Sequence, residues 1–185
     1  MKKTILSIAL TALLTLGALA QESTPIKNST IEWKGYKVTG SHYGTINLSE
    51  GSLIFDAGEL TGGSFVVDMT SLTSTDLEGE WKEKLDGHLK SDDFFGIESH
   101  PTASLVFTSV AASSKNSYEV TADLTIKGIT NPINFTLAVY GNKANATLKI
   151  DRAQYDVRYG SGSFFDNLGD KTIYDEFDLV VDLEF

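Results

Sequence analysis

Hydrophobic and polar residues alternate along most of this chain, and this period-two pattern constrains the fold more than any other feature. In the clearest stretch, 118–127, hydrophobic residues hold the even positions and polar or charged residues the odd ones. A strand with this pattern has one face in a core and the other in water. Further runs of the same kind at 103–107, 133–139, 144–150 and 177–185 predict an antiparallel meander.

The number and spacing of these runs favour a closed barrel. We count about eight strands joined at short intervals, with no helical crossover of the kind that a parallel sheet needs. Closing the sheet hides the unpaired edges that an open sheet exposes. The predicted fold class is therefore all-β with one inserted helix, an antiparallel up-and-down barrel.

The first strands carry turn and bulge signals. The phase of the alternation changes at Gly35, which predicts a β-bulge there. The segment 49–52 reads as the turn of a hairpin between 46–48 and 53–55, and 61–63, Thr-Gly-Gly, reads as the next turn.

One stretch, from Thr75 to Pro101, breaks the alternation and predicts the helix. Thr75 and Glu78 match a capping box at its start, and Phe94 and Phe95 follow its end. Residues at helical spacing form one predicted face that packs on the sheet. They are Leu77, Trp81, Leu85, His88 and Leu89.

The N-terminus has the pattern of a cleaved signal peptide over residues 1–20. Lys2 and Lys3 precede an apolar run that is too short to span a bilayer, and Ala18-Leu19-Ala20 forms a small-residue cleavage site before Gln21. The prediction is an exported, soluble protein that is periplasmic or secreted, with no integral membrane span in its mature form. We expect a flexible segment over 21–30 and one barrel domain over 31–185.

Charge and cysteine content exclude several classes of function. Without Lys2 and Lys3 the chain has 13 basic and 25 acidic residues, a net charge of −12. Such a charge repels phosphate backbones, so nucleic acid is not an expected partner. The chain has no Cys, which excludes disulfides, thiolate catalysis and Cys-based metal sites. The three His residues lack the spacing of a zinc site, so neither a metal nor a cofactor is predicted.

The size of the inward residues bears on what the barrel contains. An eight-stranded barrel is either filled by its own side chains or holds one small ligand. Several inward positions are small, which favours a ligand lumen, although Ala also suits close packing. These positions are Ala103, Ala122, Ala144 and Ala146.

Five motifs in order resemble the YceI-like family of lipocalin-like periplasmic and secreted proteins. They are W-K-G-Y-K-V-T-G-S-H-Y-G-T-I at 33–46, D-M-T-S-L at 68–72, H-L-K-S-D-D-F-F at 88–95 with Pro101, D-L-T-I-K-G-I-T at 123–130, and I-D-R-A-Q-Y-D-V-R-Y-G at 150–160. The resemblance implies a lipocalin-like barrel that holds a long isoprenoid or related amphiphile in an apolar tunnel. It brings no known catalytic residue.

We place the site on hydrophobic side chains, because apolar walls select a chain by contact area. The predicted lumen residues are Phe65, Trp81, Leu85, Phe94, Phe95, Phe107, Phe135, Leu137 and Tyr155. Arg152, Arg158 and Tyr159 are candidate contacts for a head group, since Arg offers a planar fork of donors to acidic oxygens. A structural ion pair with a nearby Asp is the competing interpretation of each arginine.

The predicted function is a non-enzymatic carrier, storage or sequestering protein for an isoprenoid or fatty-acid-like ligand, with no catalytic residue. One alternative is a small outer-membrane barrel, against which we count strands of five to eight residues. Another is an enzyme, such as a hydrolase or isomerase, that acts on the bound lipid through His88 or an acid near it. The sequence leaves open which ligand is bound and whether two chains form a homodimer.

Overall fold

The structure, a computed structural model, describes residues 21–185. The predicted signal peptide lies outside the described residues. The strands are β1 (Glu22–Pro25), β2 (Asn28–Lys37), β3 (Gly40–Asp56), β4 (Glu59–Ser74), β5 (Thr102–Ser114), β6 (Ser117–Ile126), β7 (Ile129–Tyr140), β8 (Lys143–Asp151) and β9 (Ile173–Glu184). The helix α1 is Gly79–Lys90, and Arg152–Tyr155 and Gly169–Lys171 form short 3-10 turns.

Strands β2 to β9 form a closed, eight-stranded, up-and-down antiparallel barrel. Each strand pairs with the next one in the chain, and β9 pairs with β2 to close the sheet. The short strand β1 adds to the wall by pairing with the far end of β3. The predicted fold class is confirmed.

The two ends of the barrel are closed in different ways. At one end, here called the turn end, tight turns at 57–58, 115–116 and 141–142 join neighbouring strands. The other end, here called the cap end, carries α1 between β4 and β5 and the long connection 152–172 between β8 and β9. Hydrophobic residues alternate inward along every barrel strand, as in β8, where each second residue is buried.

The bulge predicted at Gly35 is confirmed. The register between β2 and β9 shifts between Gly35 and Lys37. The two extra residues lie on β9, where 174–176 face Tyr36 alone, while the pairing of β2 with β3 runs through Gly35 without a break.

The hairpin predicted around 49–52 is wrong, since β3 is one continuous strand. Its register with β4 shifts between Leu48 and Glu50, so the polar residues mark a bulge. At Gly51 a side chain would meet Leu48 Cδ2 at 2.7 Å and Phe65 Cδ1 at 2.9 Å. Glycine is present there because two hydrophobic side chains occupy the space, and no turn is formed.

The turn predicted at 61–63 is also wrong, and these residues lie inside β4. The true turn is Ala57-Gly58, where both residues have a positive φ, 51° and 87°. A two-residue hairpin needs this backbone conformation to match the twist of its strands.

The segment 21–30, which the sequence predicts to be flexible, contains β1 and the first residues of β2. The backbone of 22–25 pairs with 52–55 of β3, and Asn28 begins β2. Between them, Ile26 N–H donates to the Gly51 carbonyl at 2.9 Å. The segment therefore pairs with the barrel wall along β3 and β9, although its polar sequence has little alternation.

The helix begins later than predicted. Its N-cap is Glu78, whose side chain makes no capping hydrogen bond, and its first residue is Gly79. The predicted capping box at Thr75 is wrong because β4 continues to Ser74, and the Thr75 N–H donates to the Tyr43 carbonyl at 3.0 Å.

Candidate functional site

The barrel encloses an apolar cavity of about 190 Å³ that extends to the cap end, where Arg152 lines it. Every strand from β2 to β9 contributes inward side chains to its wall, and Leu89, Phe94 and Phe95 contribute from α1 and the turn after it. The cavity is somewhat larger than the roughly 150 Å³ apolar cavity that is known to bind benzene. A lumen with room for a hydrocarbon is therefore present.

Most of the predicted lumen residues do line this cavity. They are Phe65, Phe94, Phe95, Phe107, Phe135 and Leu137. Two of the four small inward residues, Ala103 and Ala146, also line it, while Ala122 and Ala144 are buried elsewhere in the core.

Trp81 is not a lumen residue. Its side chain is 71% exposed, and it interacts with Lys84, whose ammonium lies 5.0 Å from the ring centroid. The prediction failed because α1 is anchored through Lys82 and Asp86, which turn the Trp81 side of the helix toward water. Leu85 is half-buried against the core but does not reach the cavity.

Tyr155 is buried without lining the cavity. It belongs to the 3-10 turn after β8, and its hydroxyl has no hydrogen-bond partner. Burial, together with the nearby charge of Asp151, raises the pKa of Tyr155, so the group remains a neutral phenol.

Arg152 lies at the cap end of the cavity and is 3% exposed. Its Nε donates to the Tyr174 carbonyl at 3.2 Å, Nη1 to Val157 O at 2.7 Å and Nη2 to Ile173 O at 3.0 Å. Nη2 is also 3.3 Å from Asp175 Oδ1. Burial lowers the pKa of Arg152, while Asp175 and Asp151 oppose that shift. All three donor nitrogens of Arg152 therefore bond groups of the protein. Two of them hold the carbonyls of Ile173 and Tyr174 at the start of β9, as backbone pairing with a neighbouring strand would.

The two other predicted head-group residues lie on the surface. Arg158 pairs with Asp156 and lies over the Phe164 ring, with 5.0 Å from its guanidinium carbon to the ring centroid. Tyr159 is 49% exposed and packs edge-on against His88, with 4.3 Å between ring centroids. Neither side chain lines the cavity.

The sequence analysis missed the residues where the cavity wall meets the surface. Between Gly35 and Lys37, β2 has the single residue Tyr36 where β9 has the three residues 174–176. Tyr36 and Tyr174 both line the cavity, and Tyr174 is 52% exposed. The bulge signal at Gly35 could have indicated this break in the β2–β9 pairing, because bulges interrupt the pairing of a barrel wall.

Three further aromatic or thioether side chains of the wall were also missed. Trp33, Met69 and Phe177 line the cavity and follow the same inward alternation as the predicted residues. The Trp33 indole donates to the Thr45 carbonyl at 3.3 Å, which fixes the ring against β3.

A polar cluster anchors α1 over the cap end. The Asp86 carboxylate accepts from Thr73 Oγ1 at 2.6 Å and from the Ser74 N–H at 2.7 Å, and it pairs with Lys82 at 3.0 Å. Burial acts to raise the pKa of Asp86, but the hydrogen bonds outweigh it and lower that pKa to about 2. These contacts fix the helix to the last residues of β4.

The wall of the cavity offers little polar chemistry. Among the described residues that line it, Arg152 is the only one with a charged side chain. His88, the candidate base of the enzyme alternative, lies outside the lining and contacts Phe94 and Tyr159. Over residues 21–185 no three His, Asp or Glu side chains are grouped so that they could hold a metal ion. In the same range we find no helix with the length and hydrophobicity that a membrane crossing requires.

An up-and-down antiparallel barrel with an apolar lumen and a helix over one end defines a lipocalin-like β-barrel. The model of the YceI-like domain matches residues 24–185, and this chain belongs to that family. The resemblance drawn from the sequence motifs is thereby confirmed.

Curated relatives and solved structures agree with this assignment. A UPF0312 protein of Pseudomonas putida strain W619 is 31% identical over 150 residues, which cover 76% of this chain and 74% of the relative. Burkholderia cenocepacia BcnA superposes with a TM-score of 0.66 at 21% identity, over 84% of this chain and 94% of that one. A polyisoprenoid binding domain from Saccharophagus degradans has a TM-score of 0.57 at 15% identity, over 89% and 99%. At these identities the two structures establish the fold alone.

Proposed function

We propose that this protein binds the hydrocarbon tail of an isoprenoid or fatty-acid-like lipid in the barrel lumen and acts as a carrier, store or sequestering protein. The observation that carries this proposal is the apolar cavity of about 190 Å³, whose one charged lining residue is occupied by contacts within the protein. The similarity to a polyisoprenoid binding domain supports the same ligand class.

The energetics of such a site depend on contact area. By comparison with benzene in roughly 150 Å³, the cavity accommodates a tail segment of about seven or eight carbons. Burying a segment of this length contributes roughly 6 kcal/mol at ~0.8 kcal/mol per methylene, before the cost of association. The rest of a longer tail and its head group would then extend toward the surface near Tyr174.

The outward faces of the strands favour this proposal over an outer-membrane barrel. The strand-length argument made from the sequence is wrong, because the barrel strands have 9 to 17 residues. The polarity of the faces is more informative. Glu119 and Asp123 are exposed on the outer face of β6, whereas its inward residues are apolar. A barrel in a bilayer needs an apolar outer band and a polar interior.

We propose a binding role without a catalytic step. The enzyme alternative depends on His88 or an acid near it. His88 packs against Phe94 and Tyr159, and among the described residues neither His88 nor any Asp or Glu lines the cavity. Export to the periplasm or the medium is part of the proposal, and the N-terminal pattern of residues 1–20 supports it.

The test is to express the full chain in a Gram-negative host, purify it from the periplasm without detergent, and analyse an organic extract by mass spectrometry. We expect a copurifying lipid with a long hydrocarbon tail and an intact protein mass that begins at Gln21. An Ala146→Leu variant, which adds carbons to the lumen wall, should lose most of that lipid. The matched Ala111→Leu variant adds the same atoms to an exposed position and should keep it. Absence of lipid together with no binding of added prenols or fatty acids would contradict the proposal.

A further inference from the structure

Three phenylalanine rings, from β4, β5 and β7, contact one another inside the barrel at the turn-end side of the cavity. Phe65 of β4 and Phe107 of β5 have ring centroids 5.6 Å apart, and Phe107 and Phe135 of β7 have centroids 5.8 Å apart. All three side chains line the cavity. They form a continuous aromatic layer, here called the aromatic floor, with Phe107 at its centre.

Beyond the aromatic floor, toward the turn end, the barrel is filled by its own side chains. Leu53 is 0% exposed, Val120 2% and Leu60 4%, and none of them lines the cavity. The strand register places Leu53 and Leu60 on the turn-end side, since Leu53 pairs with Gly63, two residues before Phe65 on β4, and Leu60 lies five residues before it. On the β3–β5 side of the barrel, the floor therefore lies between the cavity and side chains that fill the interior.

The position of Phe107 depends on a glycine in the neighbouring strand. A Cβ atom at Gly63 would lie 2.9 Å from Phe107 Cε2 and 3.1 Å from Cδ2. The ring therefore lies flat against bare backbone of β4. This explains why a Thr-Gly-Gly sequence is found inside a strand, where glycine is otherwise unfavourable.

We propose that Phe107 sets the length of hydrocarbon that the lumen accepts, and that the end of the bound tail rests on the aromatic floor. This inference rests on the proposed function and adds the residue that determines chain length. Carbons beyond the number that fits above the floor gain no contact with the lumen, so affinity stops rising with chain length at that point.

The test uses prenyl alcohols of five, ten, fifteen and twenty carbons. Binding is followed by the fluorescence of Trp33, which lines the cavity, in a Trp81→Phe background that removes the exposed indole. For the parent chain we expect affinity to rise from five to ten carbons and then to level off. In Phe107→Ala the removed ring opens space for about one more isoprene unit, so the rise should continue to fifteen carbons, with a gain of about tenfold or more.

Matched variants test the position of the floor. Phe55→Ala deletes the same atoms on the turn-end side, where Phe55 packs on Phe185 with 5.5 Å between centroids, and should leave the length limit unchanged. Gly63→Ala should push the Phe107 ring into the lumen and shorten the limit. If Phe107→Ala does not fold, Phe107→Leu provides a smaller opening and a smaller shift in the same direction.

The outcomes separate this inference from the proposed function. If the parent chain binds none of the prenols, the proposed function fails and the inference fails with it. If the parent binds them but the limit is the same in Phe107→Ala, or in Phe107→Leu where the alanine variant does not fold, only the inference is wrong. A shift of equal size in Phe55→Ala would also overturn it, because the floor would then not be the boundary.

Discussion

The two halves of the barrel are built from the same strands but differ in packing. The filled half, between the turn end and the aromatic floor, contains Leu53, Leu60 and Val120, all nearly or fully buried. The hollow half, between the floor and the cap end, keeps a cavity of about 190 Å³.

The difference follows from how each end is closed. At the turn end, two-residue turns join neighbouring strands, and inward residues such as Leu53 and Leu60 are nearly or fully buried. At the cap end, the wall is completed by α1, by the 152–172 connection and by the Arg152 guanidinium. The cavity is therefore retained at the end where α1, the 152–172 connection and Arg152 complete the wall beside the short turns 38–39 and 127–128.

The largest expected loss of stability is that of an Arg152 variant. Such a loss would show that the hollow half of the barrel is stabilised by polar contacts. Arg152→Met leaves three carbonyls, one in a buried and two in part-buried hydrogen bonds, without their donor, and it leaves Asp175 without its partner. We expect the free energy of unfolding to fall by about 3–5 kcal/mol, measured by urea denaturation. Arg158→Met changes the same groups at an exposed position and should cost less than about 0.5 kcal/mol. Equal effects of the two variants would refute this role of Arg152.

A second, smaller contrast compares a leucine from each half. Leu53→Ala removes a side chain that is packed on all sides, so we expect a loss of about 4 kcal/mol. Leu148→Ala should cost about 2 kcal/mol, because one face of Leu148 already borders the cavity and has fewer contacts to lose. Thermal or chemical unfolding measures both. A larger loss for Leu148 would mean that the two halves do not differ in packing.

The smallest expected loss of stability is that of an Asp86 variant. Its dependence on pH tests whether the Asp86 carboxylate anchors α1. The pKa of Asp86 is lowered from 3.8 to about 2 in the folded chain. Its contribution is therefore complete above about pH 4 and is lost as the pH falls from there toward 2. Asp86→Asn should cost about 1–2 kcal/mol at pH 7, and its stability should decline less steeply than that of the parent between pH 4 and 2. Glu80→Gln, which removes an exposed pair with Lys84, should alter neither quantity measurably. Identical pH profiles for the parent and Asp86→Asn would contradict the assignment.

Part of the site could be predicted from the sequence because the same alternation that forms a strand also selects its inward residues. Phe65, Phe107, Phe135 and Leu137 were found in this way, and they line the cavity. The helix was more difficult, because helical spacing shows which residues share a face but not which way that face turns. In α1 the contacts of Asp86 with Thr73 and Ser74 decide the orientation, and Trp81 is left exposed.

Glycine was the other source of error. The sequence analysis took the glycines at 51, 62 and 63 as turn residues, yet they lie within long strands. At Gly51 and Gly63 a larger residue would collide with a ring from a neighbouring strand. The ring is Phe65 for Gly51 and Phe107 for Gly63. Such a requirement depends on contacts between strands, and local sequence carries no signal for it.

By itself, the sequence determined the strand pattern, the family and the apolar character of the interior, because these properties depend on residue type and on a period of two along the chain. The tertiary structure decided where the interior is empty, because the cavity depends on which rings meet across the barrel and on how each end is closed. It also decided the role of Arg152, since the carbonyls that occupy its guanidinium belong to residues 157, 173 and 174 and come together only in the closed barrel.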